Sequence, residues 1–457
     1  PLRSWWGPAL FFNDGIFNVR KEVTVVLLDK IQRREAVIGV IGLGYVGLPL
    51  AVLQAKTGYR VIGIDEMRGK VERVTRGENY ISDVEDAELR DAVTSGRLTA
   101  TTDFDALRGC DIVLICVPTP LTKNKEPDIS AILKVTHELA RRAHPEMLVV
   151  LESTTYPGTT EEVMLPILSA GGLKAGQNFY LAFSPERVDP GNRSFKTHNT
   201  FKLVGGVTPA CLQVAQAFYA QSIAKIHPVS SPRVAEMTKV FENVFRSVNI
   251  ALVNELAVLC DRMGLNVYEV IDAAATKNFG FMPFYPGPGV GGHCIPLDPY
   301  YLAWKSKEYD LHTRFIELAG EINEGMPYYV VAKLQRLLNQ RGHCLKGTKI
   351  FVLGVTYKAD VADPRETPAL KVMELLQREG AALTYADPYV PHMDVEGRSY
   401  AAVGITADRL AQSDCALILT AHSAFDYDLI VRHARVVFDT RNGARHVKTN
   451  RSHVVLL

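Results

Sequence analysis

The 457-residue chain has almost no net charge, with 51 lysines and arginines against 50 aspartates and glutamates, a formal +1. No global field draws it to nucleic acid or to an anionic membrane, so any anionic ligand must be held by local groups. Its seven cysteines, at 110, 116, 211, 260, 294, 344 and 415, contain no CxxC spacing. That argues against a disulfide framework and against a zinc site, and it predicts no metal centre and a reducing, cytoplasmic setting. The N-terminal stretch carries Trp5, Trp6, Phe11 and Phe12 but lacks the basic-then-apolar order of a signal peptide. One uncharged run, 36–53, is long enough to raise a membrane span, yet Gly39, Gly42, Gly44, Gly47 and Pro49 interrupt it. What remains is the composition of a soluble globular protein, long enough for two or three domains with full cores.

That glycine-rich run has a better reading. Val37 to Ile41 reads as a short buried strand, Gly42-Leu43-Gly44-Tyr45-Val46-Gly47 as a turn, and Leu48 to Thr57 as a helix. A second strand, Val61 to Ile64, ends at Asp65. A lone GxGxxG is weak, but here strand, turn, helix, strand and acid follow in the order a dinucleotide site requires. Gly42 permits the tight turn, Gly44 lets a pyrophosphate approach, and Gly47 lets helix and strand pack. Asp65 can accept both ribose hydroxyls and would repel a 2′-phosphate, which favours NAD over NADP. The alternative is a structural glycine turn without cofactor. Further apolar strands, Asp111–Val117, Met147–Leu151 and Phe179–Phe183, are each followed by polar residues, so Thr119, Thr154 and Glu186 sit just past strand ends. Ligands of open parallel sheets bind there, although such residues are also common helix caps.

From Ser231-Pro232 a helical pattern runs some thirty residues to Gly264, with Val234, Met237, Val240, Val244, Val248 and Ala251 at helical spacing. Such a helix links two domains and offers a dimer interface. Lys239 and Asn243, four apart, share one face and suit an oxyanion; otherwise they are a surface lysine and a flanking amide. A second helix runs to about Ala275. The stretch Tyr285 to Tyr301 is too rich in glycine and proline for helix or strand, and it places one thiol, Cys294, beside a loop that leaves room for a ligand. The competing reading makes Cys294 a small buried hydrophobe. Arg314–Met326 and Tyr328–Gln340 read as two further helices. Lys349–Leu353 then opens a second α/β unit without GxGxxG, whose loop carries Lys358 and Arg365; Thr367-Pro368 start a helix, Ala382–Ala386, Ala416–Leu419 and Val436–Phe438 are strands, and Arg441 follows the last. These cations either hold a phosphorylated ligand or are solvated surface charge.

Taken together, GLGYVG at 42–47, VPTP at 117–120, ESTTYPGTT at 152–160, SPERVDPG at 184–191, Lys239 with Asn243, GPGVGGHCIPLDP at 287–299 and GVTYKADVADPRE at 354–366 resemble the UDP-glucose/GDP-mannose dehydrogenase family over residues 30–445. His293, where UDP-glucose enzymes more often carry serine, is closer to the branch acting on UDP-N-acetylhexosamines, which includes the UDP-N-acetylglucosamine 6-dehydrogenases. The resemblance implies an α/β fold with two Rossmann-like doubly wound domains joined by a long central helix. It implies an N-terminal extension (1–35), an NAD-binding domain (36–228), a central helical domain with the cysteine loop and dimer interface (229–340), and a UDP-sugar-binding domain (341–457). The implied activity is a four-electron oxidation of the C6 alcohol of a UDP-sugar, UDP-N-acetylglucosamine first, with two NAD consumed per product. UDP-glucose and UDP-N-acetylmannosamine are alternatives, as are a two-electron hydroxyacid-type dehydrogenase and a non-catalytic nucleotide-sugar sensor.

The family's roles carry over by position. Cys294 becomes the nucleophile that forms a thiohemiacetal and a thioester; Lys239 and Asn243 stabilise oxyanions; Glu186 handles water as acid or base; Thr154 positions water or the hydroxyl; and Asp298 orients water and tunes Lys239. NAD falls to Gly42, Leu43, Gly44, Tyr45, Val46, Gly47, Asp65, Lys70, Thr119, Thr154 and Arg365. The UDP-sugar falls to Glu186, Lys239, Asn243, Tyr285, Gly287, Gly289, Gly291, Lys358 and Arg441.

Overall fold

Alternate residues of the short apolar runs point to opposite sides of a sheet, and here both sides are covered. In β1 (Val37–Ile41), Ile38 and Val40 enter one core and Ile41 another; in β4 (Ile112–Ile115), Ile112 and Leu114 part from Val113 and Ile115 in the same way. This is why these runs show no polar alternation. Each fully buried branched side chain contributes about 1.5–3 kcal/mol. The computed structural model describes residues 26–81, 83–187, 197–292, 295–448 and 451–457. The remaining strands of the first sheet are β2 (Arg60–Ile64), β3 (Leu98–Thr101), β5 (Leu148–Leu151), β6 (Tyr180–Phe183), β7 (Lys202–Gly206) and β8 (Ile226–Val229). They lie in the order β3-β2-β1-β4-β5-β6-β7-β8, parallel except where β7 runs against β6. The order reverses between β1 and β4, which is the switch point where doubly wound sheets bind ligands.

The second sheet is smaller. Its strands are β9 (Lys349–Leu353), β10 (Ala382–Ala386), β13 (Cys415–Ile418), β14 (Val437–Asp439) and β15 (Val454–Leu456), in the order β10-β9-β13-β14-β15, all parallel. A hairpin of β11 (His392–Val395) and β12 (Arg398–Ala401) lies outside it. Ile350 and Val352 pack on one side, Phe351 and Leu353 on the other. Both units are therefore α/β with doubly covered sheets, parallel but for the β6–β7 pairing, as expected.

Between them runs the central helix, Pro232–Met263, 32 residues long. Ser231 caps it, its Oγ accepting from the Val234 N–H at 3.3 Å, and Pro232 occupies the first turn. Gly264, at φ 70°, ends it. One expectation changes here. Val234 and Met237, at helical spacing in the sequence, are exposed, and Lys239 and Asn243, for which a surface lysine and a flanking amide were the alternative, are buried together with Glu236. The first half of the helix therefore buries two kinds of side chain, Ala235, Val240 and Val244 in apolar clusters and Glu236, Lys239 and Asn243 against polar partners.

A second change concerns Pro327. Two helices were expected on either side of it, but Arg314–Asn339 is one continuous helix with Pro327 inside. Proline removes one helical N–H, the one that would pair with the carbonyl of Asn323. That carbonyl lies at the loop glycine Gly289, where an added Cβ would come within 3.3 Å of it. The flanking turns are held by Val330, Val331 and Leu334, all buried in the second unit's core.

Candidate active site

The dinucleotide loop follows β1. Gly42 has φ +91°, and a Cβ on it would meet the Cys116 carbonyl at 2.4 Å. A Cβ on Gly47, the first residue of the helix Gly47–Thr57, would meet the Gly42 carbonyl at 1.8 Å. Both positions admit glycine alone. Gly44 differs, because nothing lies within 4 Å of its Cβ position, so its surface is open. Leu43 donates its N–H to Asp65 Oδ2 at 2.8 Å, and Lys70 Nζ lies 3.2 Å from the same oxygen. Asp65 is thus fixed at the end of β2 beside the loop. Val46 precedes the helix in αR geometry. Tyr45 meets the second unit: the Arg365 guanidinium sits over its ring at 4.5 Å and is itself held by both oxygens of Asp363 at 2.9 Å. An exposed aromatic under a cation is a modest attraction, on the order of 0.5–1 kcal/mol.

The loops after β4, β5 and β6 converge on the same crevice. Thr119 Oγ1 donates to the Thr154 carbonyl at 2.7 Å, and Tyr301 OH donates to the Thr119 carbonyl. Glu186 follows β6, and its Oε1 accepts the Arg187 N–H at 2.8 Å. Behind Glu186 lies Lys202, the first residue of β7 and 3% exposed. Its Nζ is 2.5 Å from Glu152 Oε2, 3.3 Å from the Pro185 carbonyl and 3.7 Å from Glu186 Oε2. Tyr219 OH donates to the other Glu152 oxygen. Burial alone would lower the Lys202 pKa, but the carboxylates of Glu152 and Glu186 outweigh it and hold the ammonium form.

Lys239 and Asn243 lie one turn apart on the buried face of the central helix. Asn243 Nδ2 donates to Asp298 Oδ2 at 2.5 Å, and Asp298 opens the helix Asp298–Ser306 that also carries Tyr301. Burial pushes the Asp298 carboxyl up from its ordinary 3.8 to about 6, with Lys239 and the Asn243 hydrogen bond opposing the shift. One turn before Lys239, buried Glu236 accepts from the N–H groups of Gly158 and Thr160, at 2.6 and 2.9 Å, and from the Thr160 hydroxyl at 2.7 Å. It ties the loop carrying Thr154 to the helix carrying Lys239.

Cys294 and His293 lie outside the described residues, as does the end of the SPERVDPG stretch from 188. The loop leading to them is described. Gly287 donates its N–H to Asn254 Oδ1 at 3.0 Å, and Asn254 Nδ2 donates to Asn323 Oδ1 at 2.9 Å. Arg441 packs on Gly287, where a Cβ would meet its Nη1 at 2.3 Å, and its Nε donates to the Leu419 carbonyl at 3.2 Å. Gly289 has φ +137°, a conformation open to glycine only, and Gly291 lies against Tyr357, next to Lys358. So Gly287, Gly289, Gly291, Lys358 and Arg441 come together at the seam between the central helix and the second unit. Tyr285 is anchored beside them: its hydroxyl bonds Asp272 at 2.7 Å and its ring stacks on Tyr268, whose hydroxyl donates to the carbonyl of Thr440, next to Arg441.

Glu152, Lys202, Glu236, Asn254 and Asn323 were not singled out from sequence, although Glu152 opens a quoted motif. A charge beside an apolar run, such as Lys202 before Leu203-Val204, is the signal in the sequence that could have found the first two.

Comparison with known proteins agrees with this architecture. Residues 36–223 match the NAD-binding domain of the UDP-glucose/GDP-mannose dehydrogenase family, 233–325 its central domain and 351–446 its UDP-binding domain. The chain is 35% identical over 390 residues to a UDP-N-acetyl-D-glucosamine 6-dehydrogenase of Pseudomonas aeruginosa, covering 85% of this chain and 91% of that protein. It is 37% identical over 356 residues to a UDP-N-acetyl-D-mannosamine dehydrogenase of Pyrococcus horikoshii, covering 77% and 84%. A solved UDP-D-ManNAc dehydrogenase from Pyrococcus horikoshii superposes with a TM-score of 0.82 at 33% identity, over 92% of this chain and 98% of that one. The chain belongs to the UDP-glucose/GDP-mannose dehydrogenase family and is an NAD-dependent oxidoreductase of nucleotide sugars.

Proposed function

We propose that the chain is a UDP-N-acetylhexosamine 6-dehydrogenase, with UDP-N-acetylglucosamine as substrate, which oxidises the C6 alcohol to the uronic acid through a thiohemiacetal and a thioester on Cys294. The observation that carries this reading is the buried set Lys239, Asn243 and Asp298 at the mouth of the glycine loop that leads to Cys294. Such a cation and amide, desolvated and fixed on a helix, suit the oxyanion that forms each time an addition occurs at C6.

The open surface at Gly44, beside a helix N-terminus and the fixed Asp65 carboxylate, fits a dinucleotide. Gly42 to Gly47, Asp65, Lys70, Thr119, Thr154 and Arg365 would hold it. When bound, NAD supplies the hydride acceptor for both oxidations. Glu186, Gly287 to Gly291, Lys358 and Arg441 would hold the UDP-sugar. The thiolate of Cys294 adds to the C6 aldehyde and keeps the half-oxidised sugar on the protein between oxidations. Lys239 and Asn243 hold the oxyanion, Thr154 and Asp298 orient water, and Glu186 takes its proton as the thioester opens.

The central helix is long and apolar enough to cross a membrane by length and composition alone. Its Glu236, Lys239, Asn243 and Asn254 are buried against this chain's own loops and helices, while the exposed Phe241, Leu252 and Met263 form an apolar surface that supports an interface between two copies. The enzyme would work as a homodimer in a reducing cytoplasm. A panel of UDP- and GDP-sugars read by NADH absorbance tests the substrate. The highest kcat/KM belongs to UDP-N-acetylglucosamine on this account; a UDP-N-acetylmannosamine or UDP-glucose optimum replaces the sugar and leaves the chemistry, and no NADH from any sugar makes the chain a sensor.

A further inference from the structure

Lys202 has no place in the scheme above, yet it is a buried ammonium on the crevice side of the sheet. Taking a lysine out of water is costly, and an apolar residue would fill the first position of β7 as well or better. The three groups that receive Lys202 indicate its role. Glu152 is two residues before Thr154, the Pro185 carbonyl directly precedes Glu186, and Glu186 Oε2 is 3.7 Å away. One cation therefore reaches the loops after both β5 and β6. Two carboxylates share it, and Tyr219 closes the far side by donating to Glu152. Ser184 fixes the start of the same loop, its Oγ donating to the Leu203 carbonyl at 2.7 Å. Without the ammonium, Glu152 and Glu186 would face each other as like charges in a desolvated crevice and Glu186 would turn away.

We propose that Lys202 is a positioning residue that aims the Glu186 carboxylate at the water used in thioester hydrolysis. The inference rests on the reading given under Proposed function. In that step the oxygen of water bonds to the acyl carbon while its proton passes to Glu186. The carbon–sulfur bond then breaks with its electron pair leaving as thiolate, and the sugar departs as a carboxylic acid. No oxidant is needed, so a fault in this step stalls the enzyme after both oxidations and leaves the acyl group on the protein.

The test uses the full-length enzyme under turnover with NAD and UDP-N-acetylglucosamine, quenched in acid and read by intact-protein mass spectrometry, with stopped-flow NADH absorbance alongside. Glu186→Gln is the control for the underlying reading and accumulates a covalent sugar adduct. Lys202→Met is expected to keep the initial NADH burst, lose steady-state turnover by about tenfold or more, and accumulate the same adduct. Lys202→Arg restores turnover and clears the adduct. Because Lys202→Met leaves Glu152 uncompensated and can misfold, the paired variant Lys202→Met with Glu152→Gln removes the charge without that penalty and gives the same signature. An adduct in Glu186→Gln but none in either folded Lys202 variant overturns the role of Lys202 alone. No adduct in Glu186→Gln overturns the assignment of Glu186, and the inference with it.

Discussion

Asn243 on the central helix donates to Asp298, the first residue of another helix, at 2.5 Å. The bond joins the two helices beneath the glycine loop and leaves Asp298 4% exposed. A carboxyl pushed from 3.8 to about 6 by burial favours its protonated form in the folded state. Its contribution to stability is therefore fully present below about pH 3.8 and lost as pH rises through about 6.

Asp298→Asn cannot ionise and escapes that loss. Its melting temperature relative to wild type should rise between about pH 3.8 and about pH 6 and level off above that, the full linkage being on the order of 3 kcal/mol. Turnover should fall by about 10²-fold or more at the same time. A melting difference that stays flat across this range contradicts the buried-carboxyl account.

The two glycines of the dinucleotide loop should separate binding from folding. Gly44→Ala places a methyl in open space, so the protein keeps its melting temperature while its NAD affinity, measured by calorimetry, falls at least tenfold (about 1.4 kcal/mol). Gly47→Ala drives a methyl into the Gly42 carbonyl and should destabilise the apoprotein by about 1–3 kcal/mol. Equal melting temperatures for the two variants would show that the loop relaxes.

This contrast also marks what was legible beforehand. The strand, turn, helix and acid around 37–65 follow from local rules, because β1 and β2 are covered on both sides and the turn demands glycine. The same holds for Thr367-Pro368, where Thr367 caps the helix Pro368–Arg378. At Pro327 local rules break the helix, and only the packing of Val330 and Leu334 in the second core shows why it continues. Lys202, Glu236 and Asn254 are not legible in the sequence because a buried polar side chain looks like any surface residue until its partners, which are 50, 76 and 33 residues away, are folded against it.

Asn254 holds the glycine loop through Gly287 and reaches Asn323 with its other end. Asn254→Leu leaves both partners unpaired and should destabilise the protein by about 1–3 kcal/mol per orphaned group. If the loop binds the nucleotide sugar, its KM rises more than kcat falls. Unchanged kinetics in a destabilised but folded variant would confine Asn254 to structure.

The exposed apolar residues of the central helix give a separate prediction. Leu252→Glu on that surface should shift the sedimentation profile from dimer to monomer at equal loading, because burying an unpaired carboxylate at an interface is strongly unfavourable. A wild-type protein that already sediments as a monomer contradicts the interface.

The central claim is a four-electron oxidation held on Cys294. Its most direct measurement is the NADH formed per UDP-N-acetylglucosamine consumed, with the sugar limiting and the product identified by mass. The account predicts two NADH and a uronic acid, with no acid formed by Cys294→Ala. One NADH per sugar, or full conversion to the acid by Cys294→Ala, would contradict it.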